Sequence, residues 1–521
     1  MQASKSGLEY KWWVLIIVMI GTLMAALDSS IVNVSIPAIM ADFGVGVDDI
    51  EWVITAYMLA FSTLMPITVW MRDLIGHKIL FLGALFVFTL GSLLCGVAWN
   101  LPSMIVARVI QALGGGALTP TGMAMIAEVF LPQERGKAMG LWGIGVIVGP
   151  AFGPTLGGFL TKYFGWRSIF LVNLPMGIIC FIMAWYLLVE DRPHLESKKP
   201  FDIWGFSFLS VFLVAFLLGL SKGQEEGWTS VYIVTCSILS LIGFIGFLVV
   251  ESVVPNKVID IDLFKHKDFS IAMIVTGVRS VALYGGTFLL PLFLQQLMGK
   301  DEIESGLILL PGSLVIGIFM PIAGRMSDKM GPRILTFVGL FMVGLFMLMY
   351  YNLTTEWSDW DVILPTLVRG VGIGLISAPV TAAALNAVPK HKAGMASSMM
   401  NLIQQVGGSI GIALLATILS NRTHFHADHL GANFTGEGSH YLETTKNLFM
   451  TGKGLGLSAH DAGVWAHALL SNELMKNAMA RAYQDAFIVG GLLVMIALIP
   501  ALMLPKKGHE SSGEHEMMIM E

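Results

Sequence analysis

Gly324-Arg325-Met326-Ser327-Asp328-Lys329-Met330-Gly331-Pro332-Arg333 is a short polar segment between two long apolar stretches. It has a mate far upstream, Val69 to Lys78, where Asp73, Gly76 and Lys78 stand in matching places and Asp73 precedes Asp328 by 255 residues. Arg108, followed by Gly114-Gly115-Gly116, pairs in the same way with Arg369, followed by Gly370, Gly372 and Gly374, at 261 residues. Pro132-Gln133-Glu134-Arg135 answers Pro389-Lys390-His391-Lys392 at 257. Three paired landmarks in one register indicate an internal duplication. Each copy contains six apolar stretches, an even number, so the copies share one orientation. Parallel repeats related by an axis along the membrane normal describe a transporter, with its substrate site between the halves near mid-membrane.

The chain around these landmarks is built for lipid. Of its 521 residues 55% are hydrophobic and only 13% charged, about half the charge of an average soluble chain. A span needs about 20 mostly apolar residues. Candidate spans fall at 12–36, 50–70, 78–98, 103–128, 138–160, 168–189, 203–221, 231–251, 269–297, 304–323, 333–352, 361–385, 396–420 and 484–504. The expected fold class is therefore an all-α membrane protein with 14 transmembrane helices, two six-helix repeats plus two extra central helices. The expected divisions are an N-terminal bundle (1–190), two linking spans (191–252), a C-terminal bundle (253–505) with a long outer loop (421–483), and a short tail (506–521). Stretch 12–36 is too long for a signal peptide and reads as an uncleaved first span.

Lys and Arg concentrate in the N-terminus, the even-numbered connections and the tail, whereas the loop from Ala41 to Glu51 has acids and no Lys or Arg. The positive-inside rule then places both termini in the cytoplasm of a multi-pass inner-membrane protein. No basic cluster is dense enough for nucleic acid. Cys95, Cys180 and Cys236 lie in apolar runs at no metal or redox spacing. His424, His426 and His429 in the outer loop have no second cluster to complete a metal site, so no metal is expected; Leu455 to Ala482 reads as an amphipathic surface helix.

Ionisable groups inside the membrane are functional candidates because each costs several kcal/mol there. Asp28, about 24 Å along the first span at the usual rise, is the best proton carrier. Ser29 and Asn33 are placed to share its proton or to touch substrate. Arg108, with Gln111 one turn on, offers a polar facet that can pair with Asp28. Arg279 lies deeper and needs a partner or an aqueous cavity. Asn401 and Gln404 are further polar candidates for the substrate cavity. At the cytoplasmic face Asp73 can pair with Arg135, and Asp328 with Lys392, latching the inner side beside Gly76, Gly331 and Arg333. In span five Gly145, Gly149, Gly153 and Gly157 clear one helix face, with Pro150 and Pro154 between them; close packing or a hinge against the opposite half both explain it.

Together these residues resemble the major facilitator superfamily, and within it the fourteen-span drug:proton antiporters of the EmrB/QacA type. Leu27 to Pro37 is similar to that group's first-span signature, Val69 to Lys78 and Gly324 to Arg333 to the loop motif, Arg108-Val109-Ile110-Gln111 to the span-four motif, and Gly145 to Gly158 to the antiporter motif. Trp166-Arg167 with Asn173 and Pro175, and Phe201-Asp202 with Gly205, also match. The first loop copy departs at Val69 and Leu74, and Arg279 is outside the family pattern. The resemblance implies proton-coupled antiport of hydrophobic or amphipathic drugs by alternating access, powered by the proton motive force without a cofactor. The long outer loop implies a periplasmic adaptor and an outer-membrane channel in a tripartite pump. A metabolite or fatty-acid exporter uses the same mechanics, and an uptake symporter of the same fold is the nearest competitor. No Ser-His pair, His-Glu-x-x-His or twin-Asp arrangement in the spans suggests a membrane enzyme.

Overall fold

In the computed structural model, the residues described are 9–506 without 51, 191–200, 255–256, 258, 355–356, 390–391 and 434–438. The apolar runs are helices: α1 (Tyr10–Phe43), α2 (Trp52–Leu64), α3 (Ile67–Gly96), α4 (Leu101–Val129), α5 (Arg135–Phe164), α6 (Asn173–Leu187), α7 (Ile203–Glu226), α8 (Val231–Val253), α9 (Lys267–Leu292), α10 (Glu302–Met330), α11 (Pro332–Leu348), α12 (Asp359–Asn386), α13 (Ala393–Asn433), α14 (Ser439–Gly454) and α15 (Ala459–Ile496). Polar caps set their starts, satisfying amides that lipid cannot. Asn100 Oδ1 accepts from the Ser103 amide at 2.9 Å, Asp202 Oδ1 from Gly205 at 2.9 Å, and Asp301 Oδ1 from Glu304 at 2.7 Å. Among the described residues there is no strand. Twelve described helices are long and apolar enough to cross a membrane. The other two stretches expected to cross are helical as well. The first is α2, broken at Met65–Pro66 and resumed in α3; the second lies within α5.

The duplication is written in the backbone. Gly76 interrupts α3 at φ 81°, ψ 165°, and Gly331 separates α10 from α11 at φ 84°, ψ 165°. Only glycine takes that conformation without strain. Pro66 and Pro321 are likewise 255 residues apart, in the matching segments just before. Packing repeats too: α1 lies along α5 and α3 along α4, as α9 lies along α13 and α11 along α12. The halves meet along a tight seam between α5 and α10. On the other side of the molecule α7 rests on both α2 and α13, and α8 packs on α7. The outer face of α8 shows Val234, Ile238, Leu241, Ile242, Ile245 and Val249. The two extra helices thus cover the looser seam and face lipid.

The long outer loop contains the helix expected over Leu455 to Ala482, largely within α15, and is more helical than expected elsewhere. Stretch 421–483 is mostly helical: α13 runs past 421 to Asn433, α14 follows, and α15 begins at Ala459. Asp485 on α15 accepts from Arg422 and pairs with His426 Nε2 at 2.8 Å, tying the two long helices together. His424 and His429 join no metal-binding group among the described residues.

Candidate functional site

Asp28 is fully buried, at 0% exposure, on α1. An ionised carboxylate there must be compensated by near neighbours. Arg108 Nη1 donates to Asp28 Oδ2 at 2.6 Å, and Gln111 Nε2 and Asn173 Nδ2 donate to Oδ1 at 2.7 and 3.0 Å. Gln111 also accepts from Arg108 at 2.6 Å and donates to Ser92 at 2.7 Å. Arg108 Nε reaches the Val53 carbonyl at 3.2 Å, and its guanidinium lies 4.0 Å from the Tyr57 ring centroid. The expected pairing of Asp28, Arg108 and Gln111 is present. Asn173, singled out in the sequence only as part of the Trp166-Arg167 motif, completes it with Ser92 and Tyr57, which were not among the sequence candidates. A polar residue opening span six and a Ser inside span three were the available signals. Ser29 does not join this network: it is exposed and its hydroxyl returns to the Ala26 carbonyl at 2.9 Å. The side chain of Asn33 lies outside the described residues.

The glycine ladder of α5 packs on α1 directly behind Asp28. A Cβ at Gly149 would stand 2.6 Å from the Ala26 carbonyl carbon and the Leu27 nitrogen, Gly145 faces Met19, and Gly153 and Gly157 face Ser30 and Ile31. The ladder therefore serves contact within one half, and the hinge against the opposite half is not where these glycines point. The seam with α10 uses Gly136, Gly140 and Gly143 instead. The side chains of Pro150 and Pro154 lie outside the described residues.

An equivalent crossing exists in the second half, and it places Arg279. A Cβ at Gly407 would meet the Gly277 carbonyl oxygen at 2.7 Å, and Gly411 stands against Val281. Thus 277 and 281 on α9 meet Gly407 and Gly411 as 26 and 30 on α1 meet Gly149 and Gly153. By that register Arg279 occupies the position of Asp28. Glycines 407 and 411, each 258 residues after its mate, were legible in the sequence but not used. Arg279 is buried at 7% exposure; Nη1 donates to Ser377 Oγ at 2.8 Å and Nη2 to Gln404 Oε1 at 3.3 Å. Its Nε has no hydrogen-bond partner, and none of its described ion-pair or hydrogen-bond partners is an acid. Gln404 in turn donates to Tyr284 at 3.5 Å. Arg369, the mate of Arg108, donates to Thr287 Oγ1 and to the Leu283 carbonyl.

The expected inner latch forms with different partners. Asp73 accepts from the adjacent Arg72, with Nε at 2.8 Å, and not from Arg135. Arg135, buried at the start of α5, donates to Leu385 O at 3.1 Å and Asn386 Oδ1 at 2.7 Å in the opposite half. Asp328 does not meet Lys392; it accepts from the amides of Gly136 and Lys137 at 2.9 Å each, capping α5 across the seam. A carboxylate suits that position because the first helix turn has free amides. Lys392 pairs with Asp260 at 2.6 Å, and Arg333 donates to the Leu504 carbonyl within its own half. Asn401 belongs to the latch instead of a cavity: it is buried and donates to Met123 Sδ at 3.2 Å. Ser397 donates to Pro120 O at 2.9 Å and Ser398 to Met65 O at 2.6 Å, the latter carbonyl lying at the Pro66 break. These bonds between halves gather at one end of the bundle, the end the charge asymmetry assigns to the cytoplasm.

Paired six-helix halves, joined at one end and each burying a charge at its α1/α5-type crossing, are matched by what the chain resembles. The sequence model of the Major Facilitator Superfamily fits residues 18–412. A Mycobacterium tuberculosis (strain H37Rv) protein named Multidrug resistance protein B homolog is 33% identical over 495 residues, covering 94% of this chain and 89% of the relative. Riboflavin transporter RibZ of Clostridioides difficile (strain 630) is 33% identical over 419 residues, covering 79% and 89%. The crystal structure of the human organic anion transporter MFSD10 (TETRAN) shares the fold at TM-score 0.58 and 14% identity, covering 94% of this chain and 99% of that one. With a family match over most of its length and a duplicated helical architecture to go with it, the chain belongs to the major facilitator superfamily, as an integral-membrane transporter of small molecules.

Proposed function

We propose that the chain is a proton-coupled antiporter of a bacterial inner membrane, exporting hydrophobic or amphipathic compounds from the cytoplasm by alternating access. The observation that carries this reading is Asp28, sealed from solvent and held by Arg108, Gln111 and Asn173. A proton arriving on Asp28 discharges the ion pair. Arg108 then keeps Gln111 Oε1 and the Val53 carbonyl but loses its counter-charge. The guanidinium must resettle, and α1 and α4 with it, because an unpaired buried charge costs several kcal/mol. The closed end is held by hydrogen bonds between the halves, those of Arg135 and Asp328 worth about 1.5–3 kcal/mol each and the neutral ones about 1 kcal/mol, so the resettling offsets part of that hold and favours opening. Multidrug resistance relatives support a drug substrate; RibZ, named a riboflavin transporter, supports a second reading, transport of one metabolite. The extended outer helices α13 to α15 are the place for a periplasmic adaptor and, through it, an outer-membrane channel.

The test is pH-gradient-driven movement in proteoliposomes of a panel with cationic, neutral and anionic aromatic members, wild type beside Asp28→Asn. The expected result is uphill transport of at least one member by wild type and none by the variant. A wild type that ignores the gradient for the entire panel overturns the export reading.

A further inference from the structure

We infer that Arg279 is the recognition point for an anionic oxyacid group, a carboxylate or sulfonate, carried on an apolar body. Arginine stays charged at any physiological pH, and its planar fork fits two oxygens of one oxyacid. In the first half the buried charge at this crossing is balanced by a partner of opposite sign. In the second half Arg279 has only the neutral acceptors Ser377 and Gln404, and its Nε is left without a partner although buried. A buried guanidinium with a free N–H is an incomplete arrangement, and an oxyanion completes it.

The position favours arrival of a ligand. Gly394, Ser397, Ser398 and Asn401 on α13 all touch the opposite half at the closed end. Gln404 lies on the same face one turn further on, beyond those contacts, and stays half-exposed, as does Tyr284. Its bonds to Arg279 at 3.3 Å and Tyr284 at 3.5 Å are long for their type. An anion entering between the halves can displace the Gln404 oxygen from Nη2 and take Nε at the same time. Val278, beside Arg279 on α9, and Ile403 and Val406, flanking Gln404 on α13, are apolar and part-buried, suited to an aromatic or aliphatic body. The exporter reading is used here only for the route by which the ligand arrives.

The test is equilibrium binding to the purified full-length protein in lipid nanodiscs, with no gradient imposed. The probes are naphthalene-1-sulfonate, naphthalene-1-sulfonamide and 1-naphthylmethylammonium, one ring with three charges. The sulfonate should bind at least tenfold more tightly than the amide, and the ammonium most weakly. In Arg279→Gln the sulfonate should fall to the level of the amide while amide binding is unchanged, showing that the fold survives. Gln404→Ala, which removes the competing acceptor, should tighten sulfonate binding several-fold. Equal binding of sulfonate and amide by wild type overturns the inference, as does a preference that survives in Arg279→Gln. Either result leaves proton-coupled export standing, since no transport is measured.

Discussion

At one and the same crossing, where a first helix lies on a glycine-bearing helix, the N-terminal half buries an acid and the C-terminal half buries a base. Asp28 is met by Arg108 at 2.6 Å, whereas Arg279 is met by a hydroxyl and an amide. The mate of Arg108, Arg369, likewise finds Thr287 and a carbonyl in place of an acid. Duplication kept the backbone, the glycine contacts and the positive-φ hinges at Gly76 and Gly331, while charge was redistributed. The lesson is that the scaffold is symmetric and the chemistry is not. On the proposed reading one half exchanges a proton and the other holds an anion.

The sharpest break between the halves is in stability. Asp28→Ala leaves Arg108 buried without a counter-charge and should cost about 3–5 kcal/mol, read as a large fall in thermal midpoint. Arg279→Met removes a charge that has no partner to strand, so its midpoint should stay level or rise. If Arg279→Met destabilises as much as Asp28→Ala, the asymmetry is illusory. Next in size is the electrical signature. Export of a monovalent anion against one entering proton moves two charges per cycle, each worth about 2.3 kcal/mol per 100 mV. Naphthalene-1-sulfonate transport should therefore accelerate when a potassium–valinomycin potential favours anion exit. A response absent at every potential contradicts that stoichiometry. Smallest are the glycine substitutions, which should show the symmetry that the charges lack. Gly149→Ala and Gly407→Ala each place a Cβ within 2.7 Å of backbone on the facing helix, so each should cost about 1–3 kcal/mol by overpacking. Unequal losses in a thermal scan would mean that the two crossings are not equivalent.

Much of this was legible in the sequence because lipid imposes simple rules. Apolar runs of span length and the loop copies around Asp73 and Asp328 each report a local constraint. The Asp28–Arg108–Gln111 set was readable because intramembrane polar groups are few and must find one another. The latch was not, since nothing in the spacing says that Asp328 prefers the free amides of α5 to the ammonium of Lys392. That choice depends on how Gly136 and Gly324 let two helices approach. In the outer loop the helix over Leu455 to Ala482 was legible from its amphipathic pattern, whereas the continuation of α13 to Asn433 and the helix α14 were hidden by polar composition; Arg422, His426 and Asp485 brace α13 against α15. Arg279 stood out as a charge, but its equivalence to Asp28 follows only from which residues face Gly407 and Gly411.

The division of labour is tested most directly by measuring naphthalene-1-sulfonate in proteoliposomes in two modes, uphill movement driven by a pH gradient and gradient-free exchange of labelled for unlabelled probe. Wild type should perform both. Asp28→Asn should keep exchange and lose uphill movement, because the proton step is gone and the anion site remains; Arg279→Gln should lose both. Uphill movement that persists in Asp28→Asn, or exchange that vanishes with it, would contradict the assignment of coupling to one half and recognition to the other.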